Sequence, residues 1–279
     1  MKKIEIRIKN YLARLEAEKL GLKGRIKVSY IKRLGMGASN LNYLVKINKK
    51  KFVFRLNMDS KDSKKSEKEF KALKVVERIK IAPRPYLYEN SNKLFNSGFI
   101  ILDYLEGRSL NKLKYTLSNK LIKELVKILS KLHNIKITSK IKVLPIKMAN
   151  YKSYLDYINS ELSYLKKNLE NKKLLEALKK SSNEIKKRYI VNKKFDLVIS
   201  QNDFMEDNLI VRSNKYFLVD FEDLCLNSRE AEIARVLVDF GREFSEKQRR
   251  LFLDEYFKEN KIKNKNRFHP TTLLISLSI

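Results

Sequence analysis

Gln201-Asn202-Asp203-Phe204-Met205-Glu206-Asp207-Asn208-Leu209-Ile210-Val211, followed by Tyr216-Phe217-Leu218-Val219-Asp220-Phe221-Glu222, is the stretch on which the reading of this chain turns. It sets a carboxylate at Asp203, an amide five positions on at Asn208, and a second carboxylate at Asp220 beyond a short apolar hairpin. Oxygen donors of this kind suit a hard divalent cation, which uses one or two protein carboxylates and fills the rest of its shell with phosphate oxygens and water. The plainer alternative is a polar turn between strands at Leu197–Ser200 and Leu209–Val211, with a third strand at Tyr216–Asp220. Asp and Asn are common turn residues, so the stretch alone leaves both readings open.

Working outward, composition sets the limits. The chain has 279 residues, enough for one large domain or two modest lobes around a sizeable core. A hydrophobic content of 43% excludes a disordered chain. There are 62 Lys and Arg against 32 Asp and Glu, a formal net charge of +30. That balance favours anionic partners such as nucleotides, nucleic acid or an anionic membrane surface. The lysines, however, run along the whole chain among Ile and Asn. This is a compositional bias rather than a binding patch, and nucleic acid is not an expected partner.

The single cysteine, Cys225, excludes a disulfide framework within the chain and a cysteine-based zinc site. A reducing cytoplasm is the default compartment. The opening MKKIEIRIKNYLARLEAEKLG mixes charge with apolar residues and lacks the apolar centre of a signal peptide. No apolar run approaches the ~20 residues that span a bilayer. The terminal Leu273-Leu274-Ile275-Ser276-Leu277-Ser278-Ile279 reads as the start of a core helix that stops short, as if the chain were cut at Ile279. His133 and His269 are isolated and give no basis for a zinc enzyme or a histidine-based triad; His133 reads as a buried or capping residue.

Periodicity predicts a helix over residues 4–20, closed by Gly21, then strands at Ile26–Leu34, Leu41–Ile47 and Lys51–Leu56. A charged helix follows at Lys61–Ile79 and ends before Pro83 and Pro85. Strands at Tyr86–Glu89 and Gly98–Tyr104 complete a small α+β lobe. Beyond it the pattern is mostly helical: Leu117–Asn134, Tyr151–Tyr189 broken near Asn168–Asn171 or Ser181–Ser182, Arg229–Phe240 and Ser245–Glu259. The expected boundary separates residues 1–103 from 104–279.

Three upstream features bear on the opening stretch. Gly35-Met36-Gly37 lies between two strands, where glycine lets backbone N–H groups approach an anion, although most such turns are only turns. Arg55 stands inside the apolar strand Phe52-Val53-Phe54-Arg55-Leu56, an expensive place for a cation without a partner. Glu69 is the preferred partner over Glu67, because Glu69 and Leu73 share a helix face; an edge-strand arginine reaching water is the alternative. An arginine fork can hold a carboxylate and a phosphate together.

In this order the pieces resemble the aminoglycoside phosphotransferase and choline/ethanolamine kinase-like family, over about residues 26–240. Gly37-Ala38-Ser39-Asn40-Leu41-Asn42-Tyr43 resembles its glycine turn, Val53-Phe54-Arg55-Leu56 its cationic strand, and Ile81-Ala82-Pro83 its Ile-Ala-Pro segment. Tyr104-Leu105-Glu106-Gly107 resembles its hinge, Asn202-Asp203 with Asn208 its catalytic loop, and Asp220-Phe221-Glu222 with Asn227, Arg229 and Glu232-Ile233-Ala234 its metal-binding segment. The resemblance implies an α+β, bilobal protein-kinase-like fold, with a small five-stranded antiparallel-sheet lobe and a larger mostly helical lobe. It implies ATP and Mg²⁺ as cofactors and a small-molecule hydroxyl acceptor, phosphorylated with Asp203 as the base and Asn208 and Asp220 as metal ligands.

By the same resemblance Arg55, positioned by Glu69, contacts the nucleotide phosphates, with Gly35, Gly37, Ser39 and Asn40 over them and Asp103 and Leu105 at the hinge. Glu222, Asp207 and Arg229 are candidates for the substrate or a second metal. The acceptor is expected against the helices of 148–190 and the start of the helix at Arg229. Glu206, Asp207, Glu222 and Asp223 suit a cationic, amine-bearing acceptor such as an aminoglycoside or an amino alcohol.

Departures are also present. Gln201 stands where the family often has His, Glu206-Asp207 where it often has Pro-Gly, and Asp223 where choline kinases often have Tyr. The chain has no Trp, the best aromatic face for a quaternary ammonium, which makes choline less attractive than other amines. Two alternatives stay open: a protein or lipid kinase of the same fold, and a catalytically silent kinase-like module binding nucleotide or nucleic acid.

Overall fold

Asn48 and Lys49 both take left-handed conformations in the computed structural model, with φ of 46° and 71°. Two such residues make the tight turn whose twist matches paired strands. They join β2 (Asn40–Ile47) to β3 (Lys50–Asn57), so that Ile47 faces Lys50 and Asn42 faces Arg55. With β1 (Val28–Met36), β4 (Pro85–Glu89) and β5 (Phe99–Asp103) they form the expected five-stranded antiparallel sheet, in the order β1-β2-β3-β5-β4. The structure describes residues 2–36, 40–58, 64–90, 95, 97–138, 141, 144–147, 151–168, 171–188, 196–239 and 244–263. Gly37, Ser39, His269 and the terminal Leu273–Ile279 run lie outside these residues.

Side chains alternate across a strand, and β3 uses both faces. Phe52, Phe54 and Leu56 enter a core with Ile8 and Leu12 of α1 (Lys2–Ala13), Leu20, Tyr43, Val45 and Phe99. Phe54 and Phe99 stack at 4.5 Å, and Tyr11 meets Phe99 edge-on at 5.0 Å. Each fully buried phenylalanine is worth roughly 1.5–3 kcal/mol. Arg55 projects from the opposite face, where it meets α2 (Lys65–Val76). The helix expected over 4–20 is shorter than its periodicity suggests: after α1 only a single turn remains at Ala17–Leu20, stopped by Gly21 at φ 63°.

The chain divides into two compact units, and the division is not a single cut like the one expected after residue 103. The first unit is Met1–Arg108 together with Ile210–Glu222; the second is Ser109–Leu209 together with Asp223–Ile279. The returning segment holds most of β8 (Leu209–Arg212) and all of β9 (Lys215–Leu218), which with β6 (Arg108–Ser109) make a three-stranded sheet, order β6-β8-β9. It is tied into the first unit by the Leu218 amide, which donates to the Ile81 carbonyl at 2.6 Å. Gly107 shows why no side chain is tolerated at this seam. Its φ is 145°, and a Cβ there would lie 2.4 Å from the Val211 carbonyl oxygen.

In the second unit α3 (Asn119–His133) starts on a cap from Ser118, whose hydroxyl accepts the Leu121 amide at 3.2 Å. Its apolar stripe of Leu121, Leu125, Ile128, Leu129 and Leu132 is buried, and it packs with α7 (Glu246–Glu259). The helical stretch from Tyr151 breaks at the first of the two expected places, into α4 (Tyr151–Asn168) and α5 (Lys172–Arg188). Two short strands lie outside those the sequence predicts, the two-residue β6 and β10 (Cys225–Ser228). β10 pairs antiparallel with β7 (Leu197–Ser200), Cys225 opposite Ser200, and leads straight into α6 (Arg229–Asp239). All of its residues are buried, so its sequence carries no alternation.

Candidate active site

In the first unit the cation of β3 is bound on several sides. Arg55 donates through Nη1 to the Glu69 carboxylate, and through Nε to Asn42 Oδ1 at 3.0 Å. Asn42 lies directly opposite Arg55 because the Asn48–Lys49 turn fixes the register. Asp220 follows β9 in a left-handed conformation, φ 63°, which places its Oδ1 3.7 Å from Arg55 Nη1. Glu69 is only 3% exposed. Its rival Glu67 turns outward to Lys71 at 2.6 Å and to the Asn90 amide at 3.3 Å, which resolves the choice between them.

The electrostatics follow from one arginine shared among three carboxylates. Burial works to lower Arg55, but Glu69, Asp220 and Glu222 outweigh it and hold the guanidinium firmly protonated. Burial raises the Glu69 carboxyl above the usual range, against the pull of Arg55 and with help from Asp220 and Glu222. The cluster therefore has negative charge to spare for a further cation. Glu222 is itself engaged: its Oε2 accepts from Asn40 Nδ2 at 3.0 Å and sits 3.1 Å from Lys65 Nζ. Glu222, offered by the sequence reading for the substrate or a second metal, thus has two partners within the first unit. Neither Asn42 nor Lys65 was singled out from sequence. Asn42 follows from the register across the turn, and Lys65 stands one helical turn before Glu69.

Of the expected hinge residues, Leu105 is half-buried after β5. Asp103 is committed to Lys50 Nζ at 3.2 Å and to the Tyr86 hydroxyl, which donates at 2.8 Å, so its carboxylate props the sheet edge. Gly35 lies in β1 opposite Asn42.

In the second unit Asp203 follows Asn202, whose left-handed φ of 61° turns the chain out of β7. Asn208 Nδ2 donates both to the Asp203 carbonyl at 2.9 Å and to Asp203 Oδ2 at 2.6 Å. The Asp-x-x-x-x-Asn spacing thus closes one compact loop. Gln201, fully buried in place of the family's frequent histidine, accepts the Asp203 amide at 3.1 Å. Glu232 supports the loop from α6: it accepts from the Ser200 hydroxyl and from the Asn202 amide at 3.3 Å. Burial raises the Glu232 carboxyl, while those two hydrogen bonds pull it down. Asp207 and Asp223 are exposed and Glu206 half-buried.

Arg229 is engaged within the second unit. Its Nε donates to Asp196 at 2.8 Å and its Nη1 to the Tyr256 hydroxyl at 2.8 Å, which in turn meets His133 Nδ1 at 2.5 Å. It ties α7 to the start of β7, a packing contact at a residue the sequence reading offered for the substrate or a second metal. His133 is buried as expected, and burial, followed by the nearby Arg229, holds it well below the ordinary value of 6.5. Burial pushes the Cys225 thiol up to about 12, which makes it inert.

Asp220 in the first unit and, separately, Asn208 in the second carry oxygen donors of the kind Mg²⁺ prefers, and the carboxylates around Arg55 fit a cation. The Asn208 amide nitrogen is spent on Asp203, so the oxygen is the end of that group available to a metal. Among the described residues no group of three or more His, Cys, Asp or Glu gathers as a metal site, and no helix is long and apolar enough to cross a membrane. Magnesium bound largely through phosphate oxygens needs no such group.

A five-stranded sheet with a strand arginine clamped to a helix glutamate, and a mostly helical unit carrying the Asp203 loop, define a kinase-like α+β fold. The chain belongs to the phosphotransferase enzyme family, whose sequence pattern matches residues 31–266. Solved structures agree on the fold. The aminoglycoside phosphotransferase APH(4)-Ia superposes with a TM-score of 0.66 at 14% identity, covering 98% of this chain and 89% of that one. A choline kinase from Cryptosporidium parvum gives 0.65 at 19% identity, covering 99% and 85%. An APH(2")-type enzyme in complex with GDP and kanamycin gives 0.65 at 14% identity, covering 90% and 84%. No curated protein sequence matches the chain.

Proposed function

We propose that this phosphotransferase moves the terminal phosphoryl group of ATP to a hydroxyl of a small, amine-bearing acceptor in the cytoplasm. The observation that carries the reading is the clamp of Arg55 between buried Glu69 and the Asp220 carboxylate, because such a cation is held out for phosphate rather than for water. Glu69 and Asn42 fix the orientation of the guanidinium, and Arg55 binds nucleotide phosphate. Asp203 takes the acceptor hydroxyl proton; Asn208 and Gln201 hold its carboxylate and backbone in place. Asp220 and Asn208 would hold Mg²⁺, which when bound neutralises phosphate charge. Positioning and charge compensation supply most of the rate.

Glu206 and Asp207 favour a cationic acceptor, and solved neighbours carry a nucleotide together with an aminoglycoside. The decisive experiment screens aminoglycosides, amino alcohols and neutral or anionic sugars for ATP consumption with Mg²⁺. Turnover with the amines is expected; turnover confined to neutral or anionic sugars overturns the acceptor class. Mg²⁺-dependent thermal stabilisation by ATP, abolished in Asp220→Ala, is the expected mark of the nucleotide site. A protein that ignores ATP and binds nucleic acid with a steep salt slope would be a binding module instead.

A further inference from the structure

We propose that Lys65 is a second phosphate-binding cation of the nucleotide site, an inference that rests on the kinase reading above. Lys65 opens α2 one turn before Glu69, so both residues project from the same face of the helix. Its side chain is only 17% exposed, whereas Lys71 of the same helix, paired with Glu67, is 61% exposed. A lysine drawn in this far serves something on the inner side. There its ammonium lies 3.1 Å from Glu222 Oε2, the same oxygen that accepts Asn40 Nδ2 at 3.0 Å. Glu222 stands two residues after Asp220, and Asp220 lies 3.7 Å from Arg55. Two cations, Arg55 and Lys65, are thus interleaved with three carboxylates, Glu69, Asp220 and Glu222.

The two cations are not equivalent. Arg55 is fixed by Glu69 and Asn42. Lys65 is a point charge on a flexible stem, with three donors, and its carboxylate partner is one for which a divalent cation competes. With a divalent cation bound, Glu222 would be available to hold it and the Lys65 ammonium would be left to a phosphate oxygen. The glycine-turn end, through Asn40, and the Asp-Phe-Glu segment, through Glu222, meet at this one lysine.

The test is calorimetric binding of ATP, ADP and adenosine to the full chain, with and without Mg²⁺. Lys65→Met is expected to weaken ATP and ADP by about ten- to a hundredfold, the loss of a charged hydrogen bond, while adenosine is unchanged. Lys65→Arg restores part of the affinity, and unliganded melting temperatures of both variants stay at the wild-type value. Glu222→Gln removes the competing carboxylate, so it tightens Mg²⁺-free ATP severalfold, and this gain disappears in the Lys65→Met/Glu222→Gln double variant. Wild-type ATP affinity in Lys65→Met, or a gain that persists in the double variant, overturns the role of Lys65 while leaving the kinase reading intact. Failure of the wild-type protein to bind ATP overturns both. Should Lys65→Met not fold, Lys65→Arg decides: ATP affinity severalfold below wild type, with a smaller gain from Glu222→Gln than in the wild-type background, supports the role, and wild-type affinity or an undiminished gain overturns it.

Discussion

The Arg55 cluster of the first unit and the Glu232 cluster of the second both bury a carboxylate, and they satisfy it in different ways. Glu69 is held by a guanidinium that Asp220 also approaches, and Glu222 by a lysine. Glu232 accepts from a hydroxyl and from backbone N–H groups, with the Arg235 cation acting on it only through its field. Charges shared among several partners can be redistributed when a phosphate or a cation arrives. Neutral donors spent on one carboxylate fix a backbone and have nothing further to give. The first cluster is therefore arranged so that its charges can be redistributed, and the second to hold the backbone around Asp203 in shape, a difference that fits the proposed phosphate-binding and proton-accepting roles.

The contrast can be broken from either side, and the largest effect should come from the loop's own chemistry. Asp203→Ala is expected to cut turnover about a thousandfold, with thermal stability and Mg²⁺–ATP binding preserved. A comparable loss of folding stability in urea would instead make Asp203 structural. Next, Glu232→Ala should cost about 3 kcal/mol of stability in urea unfolding, because it strips a buried network from Ser200 and Asn202, and Glu232→Gln should cost less. Equal costs for both would mean that volume, not hydrogen bonding, supports the loop.

In the first unit Arg55→Lys keeps the charge and loses the fork, so nucleotide affinity should fall about tenfold, near 1.4 kcal/mol, with the acceptor KM unmoved. An acceptor KM that changes equally would place Arg55 outside the nucleotide site.

The smallest effect is a pH dependence. His133 is held well below its ordinary 6.5, so the unfolded chain binds the extra proton on acidification. Its contribution to stability is present above pH 6.5 and is lost as pH falls from 6.5 toward the depressed folded value. The slope is at most about 1.4 kcal/mol per pH unit. The raised Glu69 and Glu232 act in the opposite sense, losing stability as pH rises above the ordinary carboxylate value. A His133→Gln variant separates the two: its stability should be flatter than wild type between pH 7 and 5. Parallel profiles would show that His133 is charged in the fold.

Much of this arrangement was legible beforehand. Alternation in Phe52-Val53-Phe54-Arg55-Leu56 sends Arg55 to the face opposite the aromatic core, and the Glu69–Leu73 spacing puts the glutamate on the inward side of α2. The Asp203–Asn208 bond follows from a five-residue loop that is short enough to close on itself. β10 was missed because a fully buried strand of four residues has no alternation and owes its existence to β7. The partners of Arg229, Asp196 and Tyr256, were not legible because they are remote in sequence.

Taken by itself, the sequence determined what local spacing controls: the paired strand runs 41–47 and 51–56, the amphipathic face of α3, the Asp203–Asn208 loop and the identity of the strand cation. Only the tertiary structure decided that Ile210–Glu222 returns to the first unit, that Glu222 is taken by Lys65 and Asn40, and that Arg229 anchors α7. Local order repeats at the period of a strand or a helix and is written in the side-chain pattern. A long-range partner is chosen by burial, where a charged or polar group must be satisfied by whatever the fold brings beside it, at any distance along the chain.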